Sequence, residues 1–264
     1  MGLAHTIIGE GAPYLFMHGL GADKRQSIDL LEEFTKQMPV QAIMPDFRGH
    51  GDSLDADEEK LNFDSFADDA VALLDELGIE KAHVGGLSMG SGVTINMALR
   101  YPERVQSLTI LRPSWLDETC PSHLSIVARV GEWIDAHGLE VAEQKLNEDA
   151  EFIELTEREP NVAASIPPLF GRPQAIESAK VLYRMFQSRP YESLSLLKNI
   201  GKPAIVLDTT HDDLHPLGVA QQTAAAFGDD LFAHETLPPR YLEKAAYSDA
   251  GRAVLQKFLK SVGV

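Results

Sequence analysis

A succession of short apolar runs, separated by a stretch with helical periodicity, constrains this chain more than any other feature. Between Pro13 and about Leu111 the runs are Tyr14-Leu15-Phe16-Met17, Val40-Gln41-Ala42-Ile43-Met44, Ala82-His83-Val84-Gly85 and Ser107-Leu108-Thr109-Ile110-Leu111. Most are almost wholly apolar, as strands buried on both faces are. Phe63 to Leu77 puts Phe66, Ala67, Ala70, Leu73, Leu74 and Leu77 on one helical face with Asp64, Asp68, Asp69 and Asp75 largely opposite, and Gly78 offers a stop. Strands alternating with helices imply parallel pairing through crossover connections. The fold class is therefore α/β, with a mostly parallel central sheet flanked by helices.

After Arg112-Pro113 the rhythm changes. Trp115 to about Leu197 is helix-like, broken by Pro160, Pro167-Pro168, Pro173 and Pro190, and carries no strand pattern. It reads as a helical cap inserted over the sheet. The β pattern resumes at Pro203-Ala204-Ile205-Val206-Leu207-Asp208 and Leu231-Phe232-Ala233-His234, and the last helix is expected at about Asp249 to Leu259. The expected division is a core over residues 1–113 and 198–264 with the cap at 114–197, within the size that one wound α/β domain reaches.

The strand Ala82–Gly85 runs straight into Gly86-Leu87-Ser88-Met89-Gly90, and a helix is expected to begin near Met89. Flanking glycines let the backbone turn sharply enough to expose a serine hydroxyl, so strand, turn and helix together mark Ser88 as a nucleophile. The first apolar strand likewise ends in a glycine-bearing loop, His18-Gly19-Leu20-Gly21. The N–H groups of Leu20 and Met89 can then point at one oxyanion. His18, directly at the strand end, reads as a loop brace rather than a base.

Those two blocks, with Asp46-Phe47-Arg48-Gly49-His50-Gly51-Asp52-Ser53 between them, resemble the α/β-hydrolase superfamily in order and spacing. The resemblance is strong over about 11–112 and weaker over about 201–262. It implies an α/β-hydrolase fold, an acid after the next-to-last strand and a histidine in a Gly-His pair after the last one. Asp208-Thr209-Thr210-His211-Asp212-Asp213-Leu214-His215-Pro216 occupies the acid's place, and the family pattern selects Asp212, with Asp213 the alternative. Arg48 and His50 are expected to brace their loop.

The sequence departs from the family at the base. No histidine follows His234, and the expected loop reads Pro238-Pro239-Arg240-Tyr241-Leu242-Glu243-Lys244. A serine hydroxyl without a neighbouring base is a poor nucleophile. Three readings stay open: His215 reaches Ser88 from the acid loop; His234 serves, although it falls inside the final strand; or no base exists and the pocket binds a ligand, with Arg240 pairing to an anionic group. On a plainer reading Arg240 is a solvated surface residue. Trp115 is expected to line or pack the cap.

Charge and composition narrow the partners. Asp plus Glu number 40 against 23 Lys plus Arg, a net charge of -17, which repels nucleic acid and anionic membranes. Cys120 is the only cysteine, so neither an intrachain disulfide nor a four-thiolate metal site is available, which fits a reducing cytoplasmic setting. No apolar run is long enough to span a membrane. His211 and His215 sit in a turn and not on one helical face, so no metal site is expected, and the acidic run Asp55 to Lys60 reads as a solvated loop. The expectation is a hydrolase of small ester, thioester or related activated-carbonyl substrates that needs no cofactor. The alternatives are a carbon–carbon bond hydrolase and a catalytically silent binding protein on the same fold. Its partner is a small-molecule substrate, and oligomeric state is not legible.

Overall fold

The chain builds a seven-stranded sheet from β1 (His5–Ile8), β2 (Ala12–Met17), β3 (Val40–Pro45), β4 (Ala82–Leu87), β5 (Val105–Leu111), β6 (Ala204–Thr209) and β7 (Leu231–Leu237). This computed structural model describes residues 2–54 and 57–264. The strand order is β1-β3-β2-β4-β5-β6-β7, and every pairing is parallel except that of β1 with β3. All residues of β4 and β6 are buried, in keeping with sequences that are mostly apolar, broken only by His83 in β4 and by Asp208-Thr209 at the end of β6. β1 was not legible: it is a short edge strand whose residues alternate between exposed and half-buried.

The helices of the core fall on two faces. On one lie α1 (Lys24–Thr35) and the terminal α9 (Lys244–Ser261), whose Phe34, Phe258 and Leu259 share a cluster with Tyr14, Phe16, Ile205 and Leu207. On the other lie α2 (Phe63–Glu76), α3 (Met89–Arg100) and α8 (Leu217–Phe227), with Phe66, Val93 and Phe227 in a second cluster. Asn62 caps α2 by accepting from the Ser65 N–H, and Gly78, at φ +68°, ends it. Ile79 N donates to Leu74 O (2.8 Å) and Gly78 N to Asp75 O (3.0 Å), the paired bonds of a Schellman stop. The last helix starts at Lys244, earlier than the apolar pattern indicated, because its first residues are exposed and leave no periodic trace.

Between β5 and β6 the chain forms α4 (Ser125–Glu148), α5 (Ala150–Arg158), α6 (Pro160–Ala163) and α7 (Lys180–Phe186). Gly138 interrupts α4 with φ +76°, and Asp149 caps α5 by accepting from Phe152 N. Val130, Ile134, Val162 and Leu182 of these helices belong to the same cluster as Phe63 and Val93, so they pack over the core. Residues 55 and 56 of the acidic run lie outside the described residues. Glu58 is not merely solvated: it pairs with Lys180 and, at 3.0 Å, with Arg184. Both cations come from α7, distant in sequence, so nothing local foretold the contact.

The strand order places the site. From β2 the chain moves outward to β3, then crosses back to β4 on the other side of β2. At such a switch point the loops leaving two adjacent strands part, and a crevice opens at their carboxyl ends. Those loops begin at His18 and Ser88.

Candidate active site

Ser88 sits at φ 56° and ψ -115°, a left-handed conformation that costs a non-glycine residue roughly 1–3 kcal/mol. Packing enforces it. A Cβ on Gly90 would strike the carbonyl oxygen of Met17, and one on Gly86 would strike Gly90's backbone, so both glycines are needed for strand and helix to approach this closely. The Ser88 N–H donates to Leu111 O (2.9 Å), and Ser91 N donates back to Ser88 O (3.0 Å). Between them they fix the turn that α3 continues.

The loop after β2 is held as firmly. Gly19 N donates to the Gln26 Oε1 (2.8 Å). His18 is fully buried; its Nε2 accepts from Phe47 N (3.0 Å) and its Nδ1–H donates to Gly19 O (2.8 Å). Burial holds its pKa below the ordinary value, against smaller opposing effects of Gly19 O and Asp46, which suits a neutral brace. His50 accepts from Gly21 N (3.2 Å), and Arg48 pairs with Asp69 (2.8 Å). The N–H groups of Leu20 and Met89 have no hydrogen-bond partner among the described residues, and Leu20 and Ser88 line one cavity.

The acid loop folds back on itself. His215 N donates to Asp212 O (2.9 Å), and this turn brings the two side chains together: His215 Nδ1 lies 2.9 Å from Asp212 Oδ1. The other carboxylate oxygen takes Arg112 Nη1 at 2.8 Å, and both Arg112 and Asp212 are buried. Burial alone would raise the Asp212 pKa, but the His215 imidazole and the Arg112 guanidinium outweigh it and hold the carboxyl at about 2. For His215 burial dominates and lowers the pKa, with Asp212 opposing. Asp213 points elsewhere, to Arg158 (2.6 Å) at the surface, and His211 to Glu159 (3.2 Å), so neither shares the Asp212–His215 pair.

Ser88, His215, Arg112, Leu20, Trp115 and Arg240 line one cavity of about 200 Å³. Larger clefts exist, one of about 450 Å³ against the far side of the acid loop, but none of them contains the serine. The Ser88 hydroxyl is not bonded to the imidazole. It lies 3.2 Å from Ser114 Oγ, which donates to Leu214 O (3.0 Å). His234 is a strand residue, its Nε2 2.7 Å from Asp208 Oδ2 on the neighbouring strand. Trp115 is buried edge-on against Phe63, and its indole N–H has no partner among the described residues.

Arg240 occupies the loop after β7. Its N–H donates to Thr209 Oγ1 (3.2 Å) and its guanidinium lies over the Tyr241 ring at 5.2 Å. It is half-buried at the cavity wall, not a solvated surface residue. Sequence reasoning missed Arg112 and Ser114. Arg112 did leave a signal, a charged residue at the carboxyl end of an apolar strand, where open α/β sheets place their sites. Ser114 left none.

A family model described as alpha/beta hydrolase fold matches residues 13–237. The dihydrolipoyllysine-residue acetyltransferase component of an acetoin-cleaving system from Pseudomonas putida is 35% identical over 108 residues, 41% of this chain and 28% of that protein. A 2-hydroxymuconate semialdehyde hydrolase, also from Pseudomonas putida, is 32% identical over 103 residues, 39% of this chain and 37% of the other. The matches thus span well under half of those relatives' lengths. Among solved structures, the enol-lactonase from Burkholderia xenovorans superposes with a TM-score of 0.73 at 20% identity, covering 98% of this chain and 96% of that one. At that identity the likeness is one of fold.

Proposed function

This chain belongs to the α/β-hydrolase fold family, and from that premise we propose that it is a serine hydrolase of small ester, thioester or related activated-carbonyl substrates. The observation that carries the reading is the buried Asp212–His215 pair, whose His215 lines the same cavity as Ser88. In a neutral imidazole whose Nδ1–H donates to Asp212, the lone pair sits on Nε2. That nitrogen is the acceptor a serine proton needs, and burial keeps it unprotonated. The base thus comes from the acid's own loop instead of the loop after β7.

In the proposed cycle Ser88 Oγ attacks the carbonyl carbon while His215 Nε2 takes its proton. The carbonyl π pair moves onto oxygen, where the N–H groups of Leu20 and Met89 hold it, a contribution of about 10² or more in rate per donor. Collapse expels the alcohol or thiol, which receives the proton from His215. Water then repeats the sequence on the acyl-enzyme and releases the acid. Before attack, the hydroxyl must leave Ser114 for His215, a rotation that exchanges one hydrogen bond of about 1 kcal/mol for another.

The Ser88–Ser114 bond also favours a second reading, in which the serine stays so held and the cavity only binds. Hydrolysis of 4-nitrophenyl acetate and butyrate by the wild type, Ser88→Ala and His215→Ala separates the two. The hydrolase reading expects both variants to lose about two to four powers of ten in kcat/KM. Turnover indifferent to Ser88→Ala would sink it.

A further inference from the structure

Arg240 is set apart from the other charged groups of the cavity. Acidic side chains outnumber basic ones 40 to 23, and most arginines engage a carboxylate: Arg112 with Asp212, Arg158 with Asp213, Arg129 with Asp149 and Glu151. The Arg240 guanidinium, by contrast, forms no ion pair among the described residues; it rests on the Tyr241 ring. No aspartate or glutamate lines the cavity it faces. The nearby acid, Asp212, already spends its oxygens on His215 and Arg112. The lining also includes the apolar side chains of Leu124, Val127, Ile166 and Leu169.

A half-buried guanidinium without a counter-charge is costly, and the cavity wall gives it none. A chain this acidic has carboxylates in excess, yet the site keeps its one free fork clear of them. A planar carboxylate matches that fork with two parallel bonds, whereas a phosphate dianion would need a second free cation, and Arg112 is already committed. The volume of about 200 Å³ lies below the usual range of ligand pockets and admits only a short chain between the charged end and the reacting carbonyl.

We propose that Arg240 is a specificity-determining residue that binds a carboxylate on the substrate, so that the site selects short carboxylate-terminated molecules such as monoesters or monothioesters of small dicarboxylic acids. This rests on the hydrolase reading for the reaction but not for the binding. Arg240 thus stands in the loop where the family places its base, and there it does the work of recognition instead.

Two measurements on the 264-residue chain test it. The first compares kcat/KM for 4-nitrophenyl hydrogen glutarate with that for the uncharged 4-nitrophenyl valerate. The wild type is expected to prefer the glutarate ester, and the ratio to fall at least about tenfold in Arg240→Met and by less in Arg240→Lys. The second reads the dissociation constants of glutarate and inorganic phosphate calorimetrically. Glutarate is expected to bind more tightly than phosphate, and at least about tenfold more weakly to Arg240→Met than to the wild type. Arg240-dependent glutarate binding without turnover of either ester supports the subsite and overturns only the hydrolase reading. A wild type that prefers the valerate ester, equal glutarate binding by wild type and Arg240→Met, or phosphate binding above glutarate overturns the proposal.

Discussion

On the β2–β4 side of the site the backbone decides where the functional atoms lie; on the β5–β7 side, side chains do. Ser88 is aimed by its own φ of 56° and by glycines that allow strand and helix to touch, while the Leu20 N–H is set by a loop pinned at Gly19 and His18. Across the cavity the side chains of Asp212 and His215, the proposed acid and base, are placed by a buried chain of contacts that begins at Arg112, and by Ser114 reaching Leu214. The first kind of placement tolerates no change of backbone. The second can be rearranged while the sheet stays fixed.

Breaking the side-chain half is expected to have the largest effect. Arg112→Met leaves Asp212 buried with one partner fewer, and losing one side of a buried ion pair costs about 3–5 kcal/mol. The loss should depend on pH. Asp212 is depressed from 3.8 to about 2, so its stabilising contribution is present above the unfolded value and disappears as pH falls toward 2. With Arg112 gone its pKa rises, and acid unfolding should begin at a higher pH. Urea denaturation at pH 7 and pH 4 checks both expectations; a loss below about 1 kcal/mol at pH 7 would show that the pair is not holding the loop.

A smaller effect sharpens the comparison at the side-chain bond between Ser88 and Ser114, which joins the two halves. Ser114→Ala removes the partner that draws the Ser88 hydroxyl away from the imidazole. A neutral hydrogen bond of about 0.5–1.5 kcal/mol corresponds to a gain of about two- to tenfold in kcat/KM for 4-nitrophenyl butyrate. A comparable loss would instead make Ser114 part of the machinery that readies the nucleophile.

The same contrast explains what the sequence disclosed. Gly86, Gly90 and the apolar runs are local signals, and from them came the sheet, the elbow and the Leu20 loop. The choice of Asp212 over Asp213 came from the family pattern; in the structure Asp212 lies against His215 and Arg112, while Asp213 is turned outward to Arg158. Arg112 and Ser114 act across 100 residues of sequence, to Asp212 and Leu214, and no spacing rule connects such partners. The edge strand β1 escaped because its residues alternate between exposed and half-buried and leave no apolar run.

The central claim is that His215 activates Ser88, and the rate of covalent labelling by a fluorophosphonate, read by intact mass against pH in wild type and His215→Ala, tests it most directly. The wild type should gain one adduct, at Ser88, with a rate that falls on the acid side only below the ordinary histidine value of 6.5, because burial lowers the His215 pKa. His215→Ala should label at least about 100-fold more slowly and lose that acid limb. Equal labelling of the two proteins would contradict the account, as would a wild type in which Ser88 takes up no label.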